Sequence, residues 1–406
     1  MSYKESKNNQ DEKGRLELPA DLGEEIVQTT EEITSNLRQR GWQSRSKPEI
    51  TPRGKVSGEA MVEASSILGI EKYLGMVDGK ERIAYFPSVK LTNNSTVTRC
   101  YLKFSPGLEE DIVFIAGKKA NGREKERVIN VVNRFREVTG ITSGVFVVSE
   151  NFFKGGTVGK GLGTSAAAGA ALAAALVQSA APELMKDEAF VQSIARIMAG
   201  SAPQSIAGGF SVWLSNPSFI KDPYQSFSVR VDDGEIPVKL VVVPIEKSTK
   251  TEEAHAAAVK SPHYLDWCRK KVRAVPDLIE AIIEKSLSRI GEHAEDDSVW
   301  LNRIITSGGG INNWEPDTET IRQKVVEIRK KGLVAYYSMD TGPSVAVLTF
   351  SQHVEEVKRE LEGVLDGKYR ERIFVADLTG GPRILPLEKR DELFSEEMWE
   401  ELERAR

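Results

Sequence analysis

The chain is poor in the residues that most often carry metal and redox chemistry. Its two cysteines, Cys100 and Cys268, stand far apart among 406 residues. That leaves neither a disulfide framework nor a cysteine metal site, and fits a reducing, cytoplasmic setting. The four histidines (His255, His263, His293, His353) show no H-x-x-x-H pairing, so no zinc site and no metal is expected. Positive charge is not in excess either. Lys and Arg total 55 against 60 Asp and Glu, a net charge of −5, without the basic field that attracts nucleic acid. No uncharged run reaches the ~20 residues of a membrane span; the longest, 166–177, is short and alanine-dominated. The charged first residues lack the apolar core of a signal peptide. What remains is a globular chain, 40% hydrophobic and 28% charged, long enough for two domains.

Periodicity supplies a coarse map. After a polar arm to about residue 20, "DLGEEIVQTTEEITSNLRQRGW" predicts a helix, capped by Asp21 and stopped by Gly41. "IAYFPSV", "STVTRCYLKF" and "DIVFIAG" read as strands. In "KERVINVVNRFREVTG", Val128, Val131, Val132 and Phe135 fall at i, i+3, i+4 and i+7, an amphipathic helix ended by Gly140. "GVFVVSEN" is a strand leading to "VGKGLGTSAAAGAALAAAL" at 158–176. Further on come a helix at 187–202, a strand at 208–214 and a buried strand "VKLVVVPI" at 238–245. Helices follow at about 275–290 and 317–331; then "LVAYYSMDTGPSVAVLTF" reads as strand, turn, and strand or helix. Strands early and helices spread after them argue α+β.

The glycine-rich stretch at 158–163 fits neither standard nucleotide loop. Gly155 to Lys160 is one residue short of G-x-x-x-x-G-K, with Gly161 where Ser or Thr is needed; Gly159 to Gly163 is G-x-G-x-G rather than G-x-G-x-x-G. Its physics still suits an anion. Glycines let the backbone close on a ligand, the first N–H groups of a helix lack partners, and Lys160 adds charge. A plain connecting loop remains the alternative on this stretch alone.

Four stretches in order move the balance. "GLGTSAAAG" resembles the phosphate loop of the GHMP kinase superfamily. "ASSILGIEKYLGMVDGK" at 64–80, "ARIMAGSAPQSIAGGFSVW" at 195–213 and "AYYSMDTGPSVAVL" at 335–348 resemble motifs of one branch, the mevalonate diphosphate decarboxylases. Softer echoes widen the likeness to about residues 60–385; residues 1–50 have no counterpart. The resemblance implies a two-domain GHMP-kinase-like fold with the site in the cleft between domains. It implies a phosphate-loop domain at 51–225 and a domain at 226–406 carrying the catalytic aspartate, with 1–50 left as a polar and helical extension outside it. It assigns Asp340 and Lys72 as catalytic. Tyr73, Lys160, Gly161, Gly163, Thr164, Ser165, Ser201 and Gln204 are its substrate- or phosphate-binding positions. Lys160, Arg196, Lys247 and Lys250 are further candidates for phosphate countercharge.

Departures sharpen the expectation. The family's arginine stands as Gln204 and its asparagine as Ile67. The phosphate loop carries about three extra residues, Thr157 where the family has proline, and Thr164 in place of the first serine. Lys72 and Asp340 are kept. This combination implies a decarboxylase without its own kinase step, as in the archaeal branch that acts on mevalonate 3,5-bisphosphate. Such an enzyme gives isopentenyl phosphate, CO2 and phosphate, with no cofactor. The alternatives are an ATP- and magnesium-dependent decarboxylase of mevalonate 5-diphosphate or 5-phosphate, a mevalonate 3-kinase, or a non-catalytic binding protein on the same fold. The expected partners are a phosphorylated mevalonate and a second copy of the chain in a homodimer.

Overall fold

The computed structural model describes residues 15–43, 46–156, 162–246 and 251–404. In chain order its elements are α1 (Ala20–Gln39), β1 (Gly58–Glu71), β2 (Met76–Asp78), β3 (Ile83–Ala84), β4 (Ser88–Ser105), β5 (Ile112–Ile115), β6 (Lys118–Lys119), α2 (Gly122–Thr139) and β7 (Gly144–Phe153). Then come α3 (Thr164–Ala180), α4 (Glu188–Ala195), α5 (Ala202–Ala207), β8 (Phe210–Trp213), β9 (Ser228–Arg230), β10 (Val238–Val243), α6 (Thr251–Ala258), α7 (Tyr264–Ile283) and α8 (Leu287–Gly309). The rest are α9 (Pro316–Lys330), β11 (Tyr336–Ser338), β12 (Val345–Phe350), α10 (Val354–Glu362), α11 (Gly367–Arg370), β13 (Phe374–Asp377), β14 (Arg383–Leu385) and α12 (Glu396–Arg404). The α+β expectation holds.

Two sheets organise the chain. The first runs β14-β1-β4-β7-β5-β6, with β8 on the far half of β4 and β9 beside β8. The second is antiparallel, β11-β12-β10-β13. Helix α3 lies across β1 and β4, and Ala166, Ala167, Ala170, Ala171 and Ala173 to Val177 are buried. Small side chains let its axis come close to the sheet; a Cβ at Gly169 would already stand 2.9 Å from both Ala202 and Met198 Cβ. Helix α2 buries Val128, Val131, Val132 and Phe135 and ends on Gly140 at φ +67°, as its sequence predicts.

Three expectations shift. Helix α1 starts behind Pro19 with no side-chain cap, so Asp21 sits in its first turn rather than capping it. The helix expected at about 275–290 is two helices, α7 and α8, and α7 runs through Pro276. The helix expected at 187–202 is α4 alone, followed by turns and α5. The chain also crosses back: β14 pairs with β1, and Met398 and Leu402 of α12 cover Met61 and Tyr101 of the first sheet. Leu22 and Ile26 of α1 pack with Tyr85 and Trp213 of the first half and Trp267 of the second, so this helix spans the seam between the halves. No described helix is long and apolar enough to cross a membrane.

Candidate active site

The seam opens into a cleft of about 440 Å³. Strand β1 delivers its floor. Gly69 lies near the strand's end, and a Cβ built there would fall 2.4 Å from Lys72 Cγ and 2.6 Å from Asp340 Oδ1. The lysine from the first half and the aspartate from the second thus both pack against the same glycine. Gly69 N donates to Asp340 Oδ1 at 3.3 Å, and Ser338 Oγ donates to Gly69 O at 2.6 Å. The aspartate's turn is held from behind, where Thr318 Oγ1 donates to the Pro343 carbonyl at 3.1 Å and Asn313 Nδ2 to that of Thr341.

Lys72 is 2% exposed. Burial lowers its pKa, because the ammonium loses water; Asp297 and Asp340 act in the opposite direction. Its backbone N–H donates to Asp297 Oδ2 at 2.7 Å, and its Nζ to Ser298 Oγ at 3.2 Å. Tyr73, also buried, sets its ring edge-on to Trp213 with centroids 4.7 Å apart, and burial raises its pKa. Ser201, which also lines the cleft, acts on this hydroxyl in the opposite direction.

The start of α3 forms the opposite wall. Gly163, Thr164 and Ser165 all line the cleft. Gly163 has φ +69°, and a Cβ there would stand 2.3 Å from the Ile67 carbonyl oxygen. Only glycine brings this helix start so close to β1. Lys160 and Gly161, and with them Thr157, Lys247 and Lys250, lie outside the described residues.

Two expected residues do not face the cleft. Gln204 is fully buried beneath it, and its amide donates to the carbonyls of Ser88 (3.3 Å) and Ser211 (3.1 Å). It ties α5 to the sheet instead of reaching substrate. Ile67, the other departure, does line the cleft. Arg196 is a buried strut: Nε donates to Glu81 O at 2.8 Å and Nη1 to Ser226 O. Burial lowers its pKa to about 10, still a cation at neutral pH.

The structure adds cations that the motifs did not contain. Arg82, Lys90, Arg123 and Arg127 line the cleft with Lys72, against Asp340, Glu124 and Glu252. Among the described residues five basic groups thus face three acidic ones, in a chain of net charge −5. Burial lowers the pKa of Arg82, Lys90 and Arg127. Arg127 Nε is buried without a hydrogen-bond partner among the described residues, so its desolvation is left uncompensated. Arg123 pairs with Glu252 of α6 across the two halves. The one sequence signal for this wall is the spacing of Arg123 and Arg127, four apart and so on one helical face. His255 also lines the cleft. Its Nδ1 accepts from Gly75 N at 3.0 Å, which places the ring proton on Nε2. Burial, helped by Arg82 and Lys90, lowers its pKa to about 3. A second cavity of about 200 Å³ adjoins the cleft, sharing Arg127, Thr164 and Ser165 and reaching Ser149 and Asn151.

Such a cleft can do two things chemically. Its cations and helix start can hold phosphate groups. Its buried lysine and half-buried aspartate can place opposite charges at a reacting centre.

Similarity to known proteins agrees with this geometry. The N-terminal domain model described as diphosphomevalonate decarboxylase-like matches residues 64–224. A phosphomevalonate decarboxylase of Haloferax volcanii is 31% identical over 74% of this chain and 91% of its own length. A mevalonate 3,5-bisphosphate decarboxylase of Thermoplasma acidophilum is 29% identical over 74% of this chain and 75% of its own. Among solved structures, mevalonate diphosphate decarboxylase from Staphylococcus aureus superposes with a TM-score of 0.73 at 24% identity, over 82% of this chain and 99% of that one. Mevalonate-3-kinase of Thermoplasma acidophilum gives 0.67 at 17% identity, over 82% and 99%. A decarboxylase and a kinase share the fold, so the fold alone does not select the reaction. From the motif order, the cleft and these relatives together, the chain belongs to the diphosphomevalonate decarboxylase-like family of the GHMP kinase superfamily.

Proposed function

We propose that this protein is a carbon–carbon lyase that decarboxylates mevalonate 3,5-bisphosphate to isopentenyl phosphate, CO2 and phosphate, without ATP. The observation that carries the reading is that Lys72 and Asp340 both pack at Gly69 and line one cation-rich cleft. The C3–O bond breaks and its electrons leave with the phosphate. The C1–C2 bond then breaks, its electrons form the C2=C3 double bond, and C1 leaves as CO2. No proton or redox partner is required. The Asp340 carboxylate stabilises the positive charge that develops at C3. The Lys72 ammonium balances the departing phosphate oxygens. Arg82, Arg127, His255 Nε2–H and the start of α3 hold the phosphates. The cytoplasm as compartment and a homodimer as assembly belong to this proposal on resemblance alone.

A second reading has one observation in its favour. The 200 Å³ cavity beside Thr164 leaves room for a second ligand at the helix start, which suits an ATP-dependent decarboxylase of mevalonate 5-phosphate. Product analysis separates the two. Purified protein is given mevalonate 3,5-bisphosphate or mevalonate 5-phosphate, each with and without ATP and magnesium. CO2 and isopentenyl phosphate from the bisphosphate without ATP are the expected result. CO2 only from mevalonate 5-phosphate, with equal ADP, establishes the second reading.

A further inference from the structure

We infer that the neighbouring residues Asp297 and Ser298 of α8 are the positioning element of Lys72, and that the Ser298 hydroxyl ties Lys72 to the turn carrying Asp340. The inference rests on the reading of Lys72 and Asp340 as the reacting pair.

A serine hydroxyl has one proton and two lone pairs, and Ser298 uses all three. It donates to the Ala294 carbonyl at 2.6 Å, and accepts from Lys72 Nζ at 3.2 Å and from Met339 N at 3.1 Å. The ammonium of one half and the backbone beside Asp340 in the other therefore meet on one oxygen, which α8 holds from behind. Asp297 works one step back. Its Oδ2 accepts from Lys72 N at 2.7 Å and lies 3.8 Å from Nζ; its Oδ1 accepts from Trp267 Nε1 at 3.0 Å and from Lys271 Nζ. Asp297 is 0% and Ser298 1% exposed. Neither residue lines the cleft, so neither is placed to touch substrate.

Charges of both signs act on Lys72: Glu71 from β1, Lys271 from α7, Asp297 from α8 and Asp340 from its turn, while Lys90 of β4 lines the same cleft. Lys271 bridges Glu71 at 2.5 Å and Asp297. Glu71 continues to His293 Nδ1 at 2.8 Å and to Lys270 at 3.5 Å. Burial raises the Asp297 pKa, and Lys271, Lys72 and Lys270 more than reverse this, holding it well below the carboxylate range. An ionised Asp297 in turn raises the Lys72 pKa against the effect of burial. If Asp297 is neutralised, burial and Lys271 act on Lys72 without that support, and the ammonium is lost at a lower pH.

The test uses the full-length protein and the variants Ser298→Ala, Ser298→Thr and Asp297→Asn. Three readouts apply: kcat and KM, the pH profile of kcat, and the titration of Lys72 Nζ followed by NMR on ¹⁵N-lysine protein without substrate, with Lys72→Arg to assign the signal. Ser298→Ala is expected to lower kcat about 10-fold or more, the worth of one hydrogen bond to a charged group, with KM within about twofold. Ser298→Thr restores kcat, because its hydroxyl can make the same bond to the carbonyl four residues back. Asp297→Asn moves the alkaline limb of kcat, and the Lys72 titration, to lower pH by about one unit. Wild-type kcat in Ser298→Ala, or a loss that threonine does not restore, overturns the inference, as does an unmoved Lys72 titration in Asp297→Asn. If Asp297→Asn does not fold, the Ser298 pair decides alone. If the wild-type protein turns over no phosphorylated mevalonate, the proposed function fails. The Lys72 titration in the Ser298→Ala and Asp297→Asn proteins then still decides the positioning role.

Discussion

Replacing Gly163 by alanine tests whether the start of α3 is a phosphate cradle or only a connector. Two costs arise at once. The residue sits at φ +69°, where an L side chain costs ~1–2 kcal/mol. Its new Cβ would stand 2.3 Å from Ile67 O and 2.8 Å from Ile67 N, where ordinary contact begins at 3.4 Å. Ile67 cannot give way, because β1 is paired there with Thr92 of β4. The start of α3 must retreat by about 1 Å, carrying the N–H groups of Thr164 and Ser165 with it. A misplacement of that size at a reacting centre costs on the order of 100-fold. The expected result is a ~100-fold loss in kcat/KM for CO2 release, with ~2 kcal/mol lost in urea unfolding. Activity within threefold of wild type would refute the cradle, whatever the stability change: the helix start would have moved without the substrate noticing.

Asp340→Asn keeps the size of the side chain and removes its charge. A fall in kcat of about 10²–10⁴-fold with KM nearly unchanged is expected in steady-state assays; a change in KM alone would move Asp340 from the chemistry to ground-state binding. Arg127→Met removes an uncompensated cleft cation, and is expected to raise KM about 10-fold with a smaller effect on kcat. An unchanged KM would place the substrate phosphates elsewhere. His255 supplies a test of sign. Its folded pKa, about 3, lies below its ordinary 6.5, so the unfolded chain holds one more proton between those values. Stability from this group is complete above pH ~6.5 and falls by ~1.4 kcal/mol per unit as pH drops toward 3. His255→Gln should flatten the acid side of the unfolding profile by one proton; parallel wild-type and variant profiles would show that the ring is not held neutral.

The sequence by itself determined the elements whose signals are local and periodic. Val128, Val131, Val132 and Phe135 mark one face of α2, and Gly140 stops it, because 3.6-residue spacing and a left-handed cap need no distant partner. The order of the motifs singled out Lys72 and Asp340, and the structure places both in one cleft. Tertiary structure decided what those signals could not reach. Helix α7 runs through Pro276 because Trp267 and Cys268 are buried in one core cluster and Val275 and Leu278 in another, and that packing on both sides outweighs the local cost of proline. Gln204 occupies a motif position yet turns its amide to Ser88 and Ser211, away from the cleft. Arg82, His255 and Ser298 carry no local signature, and Arg127 only its spacing from Arg123. They matter because the β2–β3 turn, α2 and α6 bring Arg82, Arg127 and His255 to one cleft while α8 sets Ser298 behind it, and the charges around Lys72 come together only where β1, α7, α8 and the Asp340 turn meet. Chain position fixes which groups are available; burial and convergence fix which of them are charged, paired and aimed at a substrate.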